Sequence, residues 1–240
     1  MLNFFLTKIK RKTIRKENGT KKVQLYCDKM NCKESEFLMK YRDECIKYAI
    51  MLKNIPSPEV LNIGKIFIQA IEANKILDIR SFFGLSTNAW SEALISGGEI
   101  ISVDLDHSIK KKIEKNINVT KNNYSNKEIT IKDIEEDPLQ FLDKMVSNTE
   151  NLNKFDFIFI NDDGKKYSKY YEQTMKLISP GGIIIFNNVL SSSKVADYKN
   201  INEEAIALRN LNNIISNDSR CNNILLNIDD GLHIVFKHKI

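Results

Sequence analysis

The sequence is poor in several residue types, and each shortage narrows what the chain can be. Its 240 residues include 4 prolines, 9 glycines, 1 tryptophan and 3 histidines. So little Pro and Gly excludes a collagen-like or low-complexity chain. The histidines, His107, His233 and His238, are too scattered to form a ligand set, and they read as surface or strand-packing residues. The four cysteines, at positions 27, 32, 45 and 221, contain no CxxC pair. They read as free thiols of a reducing compartment, neither a disulfide framework nor a zinc site. No apolar run approaches the roughly 18 residues of a membrane span, so no transmembrane segment is expected. Arginine is scarce, 6 against 30 lysines, while asparagine reaches 27. Ile, Asn and Lys share A/T-rich codons, and that bias accounts for the asparagines without any functional role. A net charge of +5 is too small to establish nucleic-acid binding.

What is present is an ordinary globular composition, 42% hydrophobic and 28% charged, in a chain long enough to bury its own core. The charge is uneven. Residues 1–16, MLNFFLTKIKRKTIRK, carry six basic residues and no acid. Residues 1–33 are read as a basic arm. Such an arm is a solvated tail, an organelle-targeting peptide, or a segment that docks onto RNA, anionic lipid or an acidic partner. A mitochondrial or other organellar location is the expectation from it, with the cytoplasm as the alternative. Residues 34–56 form a second segment. There Phe37, Leu38, Tyr41, Cys45, Tyr48, Ala49 and Leu52 recur at helical spacing. Pro56-Ser57-Pro58 ends it and opens the main domain, residues 57–240.

From Ser57 onward strands and helices alternate. Strands are expected at 75–79, 99–105, 129–134, 155–161, 183–188 and in a closing pair over 224–238. Helices are expected at 59–73, 87–95, from Ser108, at 139–146, 168–178 and 203–216. Ser179-Pro180-Gly181-Gly182 reads as a sharp turn, and Asp229-Asp230-Gly231 as a hairpin connection. This alternation implies an α/β fold, a mostly parallel sheet with a C-terminal antiparallel hairpin and helices on both faces. Ligands of such sheets sit beyond the C-terminal strand ends, here the loops after Ile79, Val103, Asp133, Ile160 and Phe186. The Lys110–Lys115 run reads as a solvated helix face. Trp90 and the tyrosines 167, 170 and 171 read chiefly as packing residues.

Five segments then occur in a telling order: KILDIRSFFGLST, SVDLD, FIFINDDGKKYSKYYE, SPGGIIIFNNVLSSSKVAD and DSRCNNILLNIDDGLHIVFK. From about Ser57 to Lys237 the chain resembles the S-adenosylmethionine-dependent O-methyltransferases of the caffeoyl-CoA and catechol type. The resemblance implies a Rossmann-like class I methyltransferase fold, with S-adenosylmethionine and a divalent cation such as Mg²⁺ as cofactors. It also implies a homodimer or a larger protein assembly. Carried over residue by residue, Asp78, Arg80, Gly84, Asp104 and Asp133 fall at cofactor positions. Arg80 stands where the family has its first loop glycine, and Gly84 keeps the second. Asp104 matches the acid that holds the ribose, and Asp133 lies where the third-strand loop meets the adenine. Asn161 and Asn187 stand in the places of two metal-binding aspartates, while Asn188 keeps the metal asparagine. Gly164 takes the place of the family lysine, with Lys165 one residue later as the base, and Asp163 keeps an acid beside the metal loop.

The departures fall on chemistry. Two carboxylates become amides, which removes the formal charge that would hold a hard cation. Arg80 brings bulk and positive charge toward a cationic sulfonium, and it is placed to pair with Asp104 or Asp78. The expected reading is a non-catalytic scaffold or binding subunit, placed in a larger organellar, RNA-containing assembly. The alternative is a divergent but active, metal-assisted O-methyltransferase acting on a small hydroxylated substrate. A third reading gives the cleft a different, anionic ligand held by Arg80.

Overall fold

The computed structural model describes residues 22–48, 55–118 and 128–239. Residues 1–21 of the basic arm, and Ala49 and Leu52 of the next segment, lie outside the described residues. The chain divides into two compact units, Met1–Lys33 and Glu34–Ile240. In the first, residues 22–30 are helical, with Val23, Leu25, Tyr26 and Met30 all exposed.

In the second unit the described helices are α1 (Glu36–Tyr48), α2 (Pro58–Ala70), α3 (Leu85–Ala93), α4 (Ser108–Asn116), α5 (Pro138–Ser147), α6 (Tyr167–Leu177) and α7 (Glu203–Ser216). The strands are β1 (Lys75–Ile79), β2 (Glu99–Asp104), β3 (Thr130–Glu135), β4 (Phe155–Ile160), β5 (Ile178–Asn187), β6 (Cys221–Leu226) and β7 (Leu232–Lys237). They form one seven-stranded sheet in the order β3-β2-β1-β4-β5-β7-β6. The first five run parallel, and β7 is antiparallel to both β5 and β6.

Local chemistry sets the helix starts. Ser57 accepts from the Val60 N–H and Pro58 opens α2; Asp137 accepts from Leu139 and Gln140 N–H and Pro138 opens α5. The central strands are apolar on both faces because helices cover both. On one side Leu77, Ile158 and Ile184 pack with Tyr167, Tyr171 and Leu208 of α6 and α7. On the other, Ile76, Phe157 and Ile185 pack with Leu61, Trp90 and Tyr41 of α2, α3 and α1.

Three expectations are corrected. Ser179–Gly182 is not a turn between elements but part of β5, entered through a register shift opposite Phe155 and Phe157. The irregularity tolerates Pro180, which has no ladder N–H, and Gly181 at φ +83°. The closing hairpin has a five-residue connection, 227–231, because β6 starts earlier and ends at Leu226. Lys110, expected on a solvated face, is only 3% exposed. Its ammonium is neutralised by Asp133, and Glu114 lies 3.9 Å away.

Candidate functional site

The strand order reverses between β1 and β4, and sheets of this kind place their ligand crevice where the loops after those strands part. Arg80 follows β1 directly. Its N–H donates to Val103 O on one side at 2.9 Å, while Asn161 N–H donates to Ile79 O on the other at 3.1 Å. The loop from Arg80 to Gly84 holds left-handed backbone at Arg80 (φ +62°), Phe82 (+51°), Phe83 (+59°) and Gly84 (+90°). For the three residues with a Cβ this conformation costs on the order of 1 kcal/mol each.

Neighbours hold the loop in that shape. Tyr41 Oη donates to Phe83 O at 2.8 Å, and Gly84 N–H donates to Ser81 Oγ at 3.0 Å. A Cβ on Gly84 would lie 2.8 Å from Tyr41 Oη and 3.0 Å from Lys110 Cε. Beneath the loop Asp78 is fully buried and receives the hydroxyls of Ser86 (2.8 Å) and Thr87 (2.7 Å). Burial pushes its carboxyl up to about 7 despite those bonds.

The Arg80 guanidinium spans the crevice. Nη1 donates to Asp104 Oδ1 at the end of β2, at 2.9 Å, and Nε lies 3.1 Å from Asp162 Oδ1 after β4. Asp78 is not its partner; that carboxylate is engaged by hydroxyls. Asp104 also accepts from Ser81 Oγ at 3.3 Å. Burial holds its carboxyl above the usual range, outweighing the pull of Arg80 and of His107. Asp162 Oδ2 accepts from Tyr170 Oη, and the Asp162 N–H donates to Tyr167 Oη at 3.0 Å.

Beside this bridge the three asparagines meet. Asn161 Oδ1 accepts from Asn187 Nδ2 at 3.2 Å and from Asn188 Nδ2 at 3.0 Å. Asn187 Oδ1 is buried and has no hydrogen-bond partner. The trio is neutral, and its central oxygen is already committed to two donors. Among the described residues no group of three or more His, Cys, Asp or Glu side chains converges as a metal site. The arrangement does not fit a divalent cation.

A sequence profile of the O-methyltransferase family matches residues 28–238. The chain belongs to the O-methyltransferase family. It is 31% identical over 206 residues to "Probable caffeoyl-CoA O-methyltransferase 1" of Dictyostelium discoideum, covering 83% of this chain and 84% of that protein. It is 31% identical over 169 residues to "Catechol O-methyltransferase domain-containing protein 1" of Mus musculus, covering 70% of this chain and 62% of that protein. Its fold matches the O-methyltransferase from Bacillus cereus in complex with SAH, with a TM-score of 0.73 at 21% identity, covering 90% of this chain and 97% of that one. It also matches TomG from Streptomyces achromogenes in complex with SAM, with a TM-score of 0.72 at 17% identity, covering 90% and 96%.

Within this O-methyltransferase family member the cofactor positions are divided. Arg80, Gly84 and Asp104 converge on the crevice. Asp133 does not stand at the mouth of a loop; it lies inside edge strand β3, opposite Ser102, with its carboxylate held by Lys110. Asp163 is exposed and accepts from the Lys165 N–H at 3.1 Å, capping a short turn. Lys165 pairs with Glu203 at 2.7 Å, which raises its ammonium above the usual lysine value. A base must shed its proton near neutral pH, and this pairing acts against that. Sequence reading missed Asp162 and Tyr170 as partners in the crevice. The only available signal was position, since Asp162 follows Asn161 in the loop after β4.

The crevice likewise does not fit the methyl donor as it stands. The acid that the resemblance assigns to the ribose is occupied by a guanidinium of the same chain, and that guanidinium carries the same sign of charge as a sulfonium.

Proposed function

We propose that this O-methyltransferase family member is a non-catalytic frame, used as a scaffold or binding subunit, with its donor crevice closed from within. One observation carries the reading: Arg80 lies between Asp104 and Asp162, bridging the ends of β2 and β4. A donor would have to displace two ion pairs and then sit beside the displaced cation. The neutral asparagine trio and the Lys165–Glu203 pair support the same reading, because neither supplies the charge or the base that deprotonating a diol needs. The basic arm of residues 1–16 suits docking of the frame onto RNA or an acidic partner in an organellar assembly.

The test is a methyl-transfer assay with isotopically labelled S-adenosylmethionine and a catechol, with and without Mg²⁺. The reading predicts no transfer above the protein-free rate in either condition. Mg²⁺-dependent transfer would overturn it. It would favour the second reading, a divergent active enzyme. That reading draws on the retained Gly84 and Asp104 and on the unpartnered oxygen of Asn187.

A further inference from the structure

We infer that Tyr170, on α6, sets how firmly the crevice is closed, acting through Asp162 on Arg80. This rests on the reading of Arg80 as the closing group. The contacts form an unbroken chain. Tyr170 is fully buried and its hydroxyl donates to Asp162 Oδ2, leaving Oδ1 to face Arg80 Nε at 3.1 Å. The backbone of the same aspartate is pinned independently. Its N–H donates to Tyr167 Oη, which in turn donates to Asn187 O at 2.9 Å. The carboxylate therefore has a fixed base, and one oxygen is tied into the helix layer.

Arg80 needs that rigidity. Its backbone sits at φ +62°, and its side chain is 32% exposed, so water competes for each of its ion pairs. A carboxylate free to rotate would hold such a group poorly. One already aligned by a buried phenol gives up less rotational freedom in holding it. Tyr170 is thus a positioning residue that sets how readily Arg80 is released. A ligand that needs the open crevice binds with an apparent affinity reduced by the open fraction.

Chemical modification reads the release of Arg80 without requiring any ligand to bind. The full-length chain and its Tyr170→Phe and Asp162→Asn variants would be treated with phenylglyoxal. Modification rates at Arg80, Arg209 and Arg220 would then be followed by peptide mass mapping. Tyr170→Phe keeps the ring, whose centroid lies 6.3 Å from that of Tyr167, and removes only the hydroxyl. The expected result is an Arg80 rate raised about fivefold in both variants, in keeping with weakening of one partly exposed ion pair, with Arg209 and Arg220 unchanged. An Arg80 rate in Tyr170→Phe equal to that of the unaltered chain overturns the inference. Should Tyr170→Phe loosen the whole fold, so that all three rates rise together, the Arg80 rate relative to those of Arg209 and Arg220 decides: a raised ratio supports the inference and an unchanged ratio overturns it. The underlying reading fails separately, through unchanged donor affinity on Arg80→Gly, so the two failures are distinguishable.

Discussion

Single side chains set the electrostatics of the crevice floor, and their protonation has consequences for stability. Burial carries the Asp78 carboxyl from 3.8 to about 7. Between those values the folded chain keeps a proton that the unfolded chain has released. This residue's contribution therefore falls as pH rises from about 4 to about 7, by up to about 1.4 kcal/mol per pH unit. His233 acts in the opposite sense. Burial lowers its imidazole from 6.5 to about 4, so the unfolded chain binds the proton first and stability rises with pH across that window. Asp78→Asn should retain a partner for Ser86 and Thr87 while removing the falling component. Urea unfolding at pH 4.5, 5.5 and 6.5 checks this: the variant should gain stability relative to the unaltered chain as pH increases. Parallel profiles would show that Asp78 is ionised throughout. Asp162 shows what a residue list misses. The sequence assigned the acid beside the metal loop to its neighbour Asp163, and the bond from Tyr170 to Asp162 depends on where a loop of three residues points after the strand ends.

Elements are held by close approaches that a sequence pattern marks only as small residues. Gly64 on α2 faces Trp90 of α3; a Cβ there would lie 2.4 Å from the indole ring. That ring is fixed in turn, edge-on to Phe157 at 5.3 Å and Phe159 at 5.1 Å. Gly64→Ala should destabilise the fold by about 2 kcal/mol through overpacking, measured as a lower denaturation midpoint. A neutral result would mean that α2 can shift outward. Gly84→Ala should cost about 1–3 kcal/mol, since it adds a Cβ at φ +90° against Tyr41 and Lys110. The helices themselves were readable because Ser57-Pro58 and Asp137-Pro138 are start signals, and the central strands because burial on both faces makes them continuous apolar runs. The β5 irregularity was not readable, since Pro-Gly-Gly codes equally for a turn. Nor was the burial of Lys110, whose neutralising carboxylate comes from a strand 23 residues away.

At the scale of the molecule, three strand ends and a helix jointly form the ion-paired crevice. Arg80 follows β1, Asp104 ends β2, Asp162 follows β4, and Tyr170 reaches in from α6. The parallel sheet and its terminal antiparallel pair follow from the order of apolar runs and turns. The Arg80 bridge does not, because it needs the spatial adjacency of β2, β1 and β4 that chain connectivity leaves implicit. The most direct measurement is calorimetric titration of S-adenosylmethionine into the unaltered chain and into Arg80→Gly, each with and without Mg²⁺. The account predicts no detectable heat of binding to the unaltered chain, micromolar binding to the variant, and no effect of Mg²⁺ on either. Micromolar binding to the unaltered chain, strengthened by Mg²⁺, would contradict it.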